Sequence, residues 1–172
     1  GGFKASEFDR TLTFNVTPFF ERLKNFQLNT FLGTAYVVET IPSMTSKGVD
    51  VDAYWRTPLK GLSIAAGATY ADTRYGHFTA ADLINPGHYP NLSLLPGSEA
   101  GLAAKVTATL SASWETHLGT LPSTISLSGK YSDPYVAGSD VIPAKTQKGF
   151  TIANASWYVT LPQHNLTISA WV

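Results

Sequence analysis

Lys105-Val-Thr-Ala-Thr-Leu-Ser-Ala-Ser-Trp-Glu115 reads polar and apolar in strict turn. Val106, Ala108, Leu110, Ala112 and Trp114 occupy one phase, and Thr107, Thr109, Ser111, Ser113 and Glu115 the other. Successive side chains of a strand point to opposite faces, so this period of two sends every apolar group to one side. A helix would scatter the same residues around its axis. The run is about ten residues long, the length a tilted strand needs to cross a bilayer.

The same alternation recurs outward from that stretch. Leu12, Phe14 and Val16 interleave with Thr11, Thr13, Asn15 and Thr17. Val49, Val51, Ala53 and Trp55 interleave with Asp50, Asp52 and Tyr54. Leu62, Ile64, Ala66, Ala68 and Tyr70 repeat the pattern, as do Ile125, Leu127, Gly129 and Tyr131, then Leu166, Ile168, Ala170 and Val172. Eight strands are predicted, over 2–5, 11–27, 47–57, 62–74, 105–116, 123–133, 149–160 and 166–172. Two places disturb the pattern. Pro18 removes a ladder donor, which predicts a bulge or the point where the strand rises out of the membrane. Ile152 and Tyr158 are out of phase with Ala153, Ala155, Trp157 and Val159.

The predicted connections alternate in length. Ser6–Arg10, Pro58–Gly61, His117–Ser123 and Leu161–Asn165 are short; Leu28–Ser46, Arg74–Lys105 and Asp133–Gly149 are long. An antiparallel up-and-down meander with tight turns at one end and long loops at the other is the pattern of membrane barrels. A soluble sandwich would use Greek-key crossings and place long loops at both ends. Trp55, Trp114 and Trp157 lie near the short turns, and Phe20, Tyr70 and Tyr131 toward the long loops. Two aromatic bands at interfacial depth fit that reading.

Bulk composition agrees. The chain is 44% hydrophobic but only 14% charged, below the roughly 25% of soluble domains. Only every second residue of a barrel strand meets lipid, and that dilutes the apolar content. Twelve basic residues balance twelve acidic ones, so no field favours nucleic acid. With no cysteine, disulfide frameworks and thiolate chemistry are excluded. No apolar run approaches the ~20 residues of a membrane helix.

No catalytic, cofactor or metal constellation is expected. His77 and His88 share the longest loop while His117 and His164 fall in opposite short turns, without metal-ligand spacing. Asp50 and Asp52 share a strand face and read as lumen-facing charge rather than an acid–base pair. Ser126-Leu-Ser-Gly-Lys130 lacks the spacing of a phosphate loop. The sequons at Asn15, Asn91, Asn154 and Asn165 are expected by chance in a chain rich in Asn, Ser and Thr.

Several segments resemble the barrel of TonB-dependent receptors in order and spacing. Leu12 to Phe20 with Leu23 to Gln27 is similar to a strand rising into its loop. Thr45 to Asp52 with Trp55-Arg-Thr-Pro58 resembles the following downward strand and its periplasmic turn. Leu62 to Tyr75, Leu92 to Ser98, Ser126 to Tyr131 and Leu166 to Trp171 resemble later segments. The resemblance implies an all-β fold in which residues 1–172 are a partial wall of a 22-stranded transmembrane barrel. It implies a plug domain and a final strand beyond this chain, and a location in the bacterial outer membrane. The implied partners are outer-membrane lipid, the remaining barrel strands and plug, and the TonB complex, reached through an N-terminal part. The implied activity is import of a scarce extracellular small molecule such as a ferric siderophore. Within the longest loop, Tyr75, His77, Phe78, Asp82, Asn85, His88, Tyr89 and Asn91 are the candidate ligand-contacting residues. The alternative is a complete small outer-membrane barrel with a structural or adhesion role. A secreted β-rich enzyme or lectin is a third reading, for which no site chemistry is visible.

Overall fold

The computed structural model describes residues 1–172 except 8, 10, 32–35, 84–93 and 140, with the backbone alone at 30, 31, 37 and 80. Eight strands form one antiparallel sheet in sequential order: β1 (Phe3–Glu7), β2 (Leu12–Phe31), β3 (Tyr36–Arg56), β4 (Leu62–Tyr75), β5 (Val106–Leu118), β6 (Leu121–Ser132), β9 (Phe150–Leu161) and β10 (Leu166–Trp171). The short strands β7 (Tyr135–Val136) and β8 (Thr146–Gln147) make a separate ribbon between β6 and β9. A closed eight-stranded barrel would pair β10 with β1. Instead these two strands end the sheet order, and the sheet is open.

Register assigns the faces. Residues directly opposite across a sheet share a side. One row runs Phe14, Ala53, Ala66, Leu110, Gly129, Ala153, and a lower one Leu62, Trp114, Ile125, Trp157, Ala170. The intervening rows are polar: Thr17, Asp50, Thr69, Thr107, Ser132, then Asn15, Asp52, Gly67, Thr109, Lys130. The phase conflict in β9 resolves accordingly. Ala153, Ala155 and Trp157 sit in apolar rows, whereas Ile152 stands opposite Lys130 and Tyr158 opposite Thr124.

Nothing among the described residues covers the apolar face. Leu110 is 58% exposed, Leu127 53% and Ile168 56%. In a sandwich these side chains would be the core, packed under a second sheet. Shallow hollows lie on the opposite face, between Thr17, Asp50, Thr69, Thr107 and Lys130 and between Ser63, Ser111, Ser128 and Asn154. That polar side is the concave one. Both aromatic bands belong to the apolar side, where Trp157 donates from Nε1 to Ser123 Oγ at 2.7 Å. An indole at interfacial depth thus keeps its one donor satisfied.

Short turns close one end of the sheet. Leu118 pairs with Leu121, leaving Gly119 and Thr120 as a two-residue turn with Gly119 at φ +63. Tight hairpins need a positive φ of this kind, and glycine adopts it without a Cβ clash. At the other end the expected loop Leu28–Ser46 is largely strand. β2 is 20 residues and β3 21, and they pair from Leu12↔Trp55 to Phe31↔Tyr36. At about 3.3 Å per residue the ribbon is about 65 Å long and, tilted by about 40°, rises about 50 Å, so about half of it extends past an apolar band about 25 Å tall. The register is unbroken at Pro18, which stands opposite Val49 without a bulge.

Candidate ligand-binding cap

Buried apolar residues gather at the long-connection end, whereas the buried residues described on the wall are the small polar Ser123 and Ser132. Leu28, Ile41, Tyr75, Phe78, Leu83, Leu95, Ala100 and Val141 form one cluster, with Phe26, Met44 and Ala103 packed against it. These come from all three long connections. The three are therefore one cap with its own core, not three independent loops.

Its construction starts in the β2–β3 ribbon. Asn25 adopts a left-handed φ of 55, and the pair it would make with Pro42 is missing while the flanking pairs Lys24↔Ser43 and Phe26↔Ile41 keep their register. Asparagine tolerates this conformation, and proline has no N–H to contribute. Beyond this point the even positions of β2, which carry Leu12, Phe14 and Val16 on the apolar face below, turn into the cap. Phe26 brings its ring to 6.4 Å from that of Tyr75, and Leu28 is 3% exposed.

The Arg74–Lys105 connection returns along the top of β4. Tyr75 N–H donates to Ser98 O at 3.0 Å, Ala100 N–H to Thr73 O at 2.9 Å and Ala71 N–H to Lys105 O at 2.8 Å. Arg74 joins Asp72 at 2.8 Å and Glu99 at 3.3 Å, and Lys105 also pairs with Glu99. The Asp133–Gly149 connection clasps both neighbours. Leu102 N–H donates to Val136 O at 2.8 Å, and Ser139 donates from Oγ to Asn29 O at 2.5 Å.

This packing sorts the residues that the sequence singled out. Tyr75 (3% exposed) and Phe78 (9%) are core members of the cap, withdrawn from its surface. Asp82 is exposed and closes a 3-10 turn over Ala80–Asp82, its Oδ2 accepting from Thr79 N–H at 2.8 Å and Thr79 Oγ1 at 2.9 Å. The backbone donor foremost, then the hydroxyl, holds the Asp82 carboxyl below its ordinary value. His77 is exposed and lies against the Gly97 turn. Asn85, His88, Tyr89 and Asn91 fall outside the described residues. Sequence reasoning missed Leu28, Ile41, Leu95 and Val141. The available signal was a set of apolar residues within connections otherwise read as polar.

Below the cap the concave wall presents Asp50, Asp52 and Lys130 among small polar side chains, with Thr69 donating from Oγ1 to Asp50 Oδ1 at 2.7 Å. Lower still, Ser63, Ser113, Ser126 and Ser156 occupy a single row. The wall is hydrophilic, with Asp50, Asp52 and Lys130 toward the cap and Arg56 and Glu115 at the end beside the short turns.

The whole chain, residues 1–172, matches the family model described as TonB dependent receptor-like, beta-barrel. Among solved structures it is similar to the FrpB iron transporter of Neisseria meningitidis. The F5-1 variant matches at TM-score 0.63 with 18% identity, over 99% of this chain and 25% of that one. The apoprotein form of the same variant matches at TM-score 0.61 with 18% identity and the same coverage. The F3-3 variant matches at TM-score 0.56 with 16% identity, over 92% of this chain and 23% of that one. The chain thus spans about a quarter of the length of the structures it resembles. A search among curated proteins gives no significant match.

Proposed function

Because this chain belongs to the TonB-dependent receptor β-barrel family, we propose that the intact protein is an outer-membrane importer of a scarce solute such as a ferric siderophore. Its energy would come from the TonB complex acting on a plug domain inside the barrel. The observation that carries the reading is the single cap raised over one end of a wall with a lipid-compatible outside and a hydrophilic inside. Such a wall has no use for a built cap unless something is met there. The iron transporters whose fold it shares favour an iron-bearing cargo.

In this reading the cap faces the outside of the cell and the short turns face the periplasm. His77, Asp82, Asn85, His88, Tyr89 and Asn91 are the proposed cargo-facing residues, and Tyr75 and Phe78 support them from beneath. An epitope tag after Lys148, which is exposed between β8 and β9, should be reached by antibody in whole cells. Uptake of iron-55-labelled ferric siderophores should depend on TonB. It should fall on deletion of Ala80 to Asn91 while the barrel still assembles. A tag reachable only after the membrane is broken overturns the orientation. Uptake indifferent to loss of TonB overturns the energy coupling.

A further inference from the structure

The concave wall below the cap sorts its charges by strand. Asp50 and Asp52 are on β3 and Lys130 is on β6, with β4 and β5 between them. Asp52, Gly67, Thr109 and Lys130 occupy one row, and Asp50, Thr69 and Thr107 the row above it. None of the three charges has an ion pair among the described residues.

Other charged groups do not cancel them. Same-face residues follow one another at about 7 Å along a strand, which puts Arg56 about 14 Å below Asp52 and Glu115 about 20 Å below Thr109. Asp133 turns to the other face, where its Oδ1 accepts from Tyr131 Oη at 2.7 Å. Glu21, opposite Ser46, adds a carboxylate higher up on the negative side. Nor do the two signs cancel each other. At about 4.8 Å per strand Asp52 and Lys130 stand about 14 Å apart across the sheet, beyond the ~8 Å over which exposed charges act in physiological salt. Each end of the row keeps its sign.

The space between the ends is open. A Cβ at Gly67 would come within 3.2 Å of Thr109 Oγ1 and 3.7 Å of Asp52 Oδ1, so a side chain there would fill the step beside the acid. Asp50, Asp52, Thr69, Thr107, Thr109 and Lys130 line a hollow of about 510 Å³, a volume suited to a small molecule. Thr69 donates to Asp50 Oδ1 at 2.7 Å, which orients that carboxylate without neutralising it.

We infer that this trough is a seat for a dipolar solute, or for the dipolar limb of a larger one. An ammonium or guanidinium lies at Asp50 and Asp52, and a carboxylate lies at Lys130. A singly charged ligand satisfies one end only, and a neutral ligand neither. The inference rests on the importer reading above and deepens it, because a seat below the cap names a class of cargo: one whose cationic and anionic groups are held apart by a spacer.

The test uses the intact receptor in detergent, with 6-aminohexanoate as the probe and hexanoate and hexylamine as its singly charged counterparts. Binding is read by saturation-transfer NMR against receptor-free micelles. The wild type should prefer the probe to either counterpart by about fivefold, the upper end of what an exposed ion pair contributes. Added salt should narrow that preference. D50N/D52N should remove the advantage over hexanoate, and K130Q the advantage over hexylamine, since each deletes the end that the counterpart cannot use. Folding is verified by heat-modifiable gel mobility, and D52N alone serves if the double variant does not reach the folded band. A wild type without preference for the doubly charged probe overturns the seat, as does a preference that survives in the folded variants. Neither measurement involves TonB. Uptake indifferent to TonB with probe selectivity intact sinks the energy coupling, whereas TonB-dependent uptake without probe selectivity sinks this seat alone.

Discussion

The wall and the cap are built from the same kind of strand but solve opposite solvent problems. In the wall, Leu110, Leu127 and Ile168 stay exposed, and no second layer among the described residues covers them. In the cap, Ile41 is 0% exposed and Leu95 1%. In the outer-membrane location proposed above the wall meets lipid on one side, so its apolar side chains need no protein partner and strict alternation suffices. The cap has water around it, so apolar groups are stabilised only by finding each other. The boundary falls near Asn25 and Pro42, where the ribbon that served the first rule begins to serve the second. Side-chain burial therefore marks where the membrane ends more sharply than secondary structure does, because β2 and β3 keep one register across the boundary with a single pair missing.

Arginine substitution tests the wall most severely. Leu110 lies in the middle apolar row, so Leu110→Arg in the intact receptor should cost about 2–4 kcal/mol on unfolding from liposomes. Ser111→Arg, the next residue, should cost far less because it enters a hydrophilic lumen. Ala108→Arg should fall between them, since Ala108 stands opposite Tyr131 near the interface and arginine there can reach headgroups. Equal costs at Leu110 and Ser111 would break the distinction between the faces.

A cavity tests the cap. Leu95→Ala should cost about 2–3 kcal/mol, the lower part of the range for buried leucine, because an upper layer without a roof can relax. The loss should be local. Hydrogen exchange should quicken at Tyr75 and Ala100, whose amides bind the returning chain, while the unfolding of the wall stays unchanged. A matching loss in the wall would show that the two regions are one cooperative unit.

The smallest effect concerns the Ala80–Asp82 turn. Because the Asp82 carboxyl titrates below its ordinary value in the folded chain, its contribution is fully present above about pH 4. It is lost as pH falls through the depressed value. Asp82→Ala should reduce protection of the Thr79 amide at pH 6, and the variant and wild type should converge in strong acid. A difference that persists there would mean that the turn is held by something else.

The two regions also differed in how far their sequence could be read. Alternation located every strand of the wall, including the awkward β9, because one lipid-facing side forces a period of two. It failed above the membrane. Tyr36-Val-Val-Glu-Thr-Ile41 is rich in strand-forming residues, yet it fell within the connection Leu28–Ser46 expected as a long loop. With water on both sides, no face was obliged to be apolar. Of the two expectations for Pro18, a bulge or the point where the strand leaves the membrane, the bulge is absent. The cap core was unreadable because its members lie far apart in sequence, and the gathering of Leu28 and Val141 into one cluster has no local signature. Tyr75 and Phe78 were singled out for aromatic character in a long loop. Burial, which sequence does not report, gave them a packing role.

The bond from Ser139 to Asn29 joins positions 110 residues apart. Exposed loops ordinarily diversify one at a time, since a lengthened loop disturbs little beyond itself. Here a change in one connection is felt by two others through Ser139, Val136 and the shared core. Descendants of this gene are therefore free to vary at surface positions such as His77 or Lys148. Variation at Leu95, Val141 or Ile41 must come as matched sets, so the cap should inherit its shape as a block while its surface drifts.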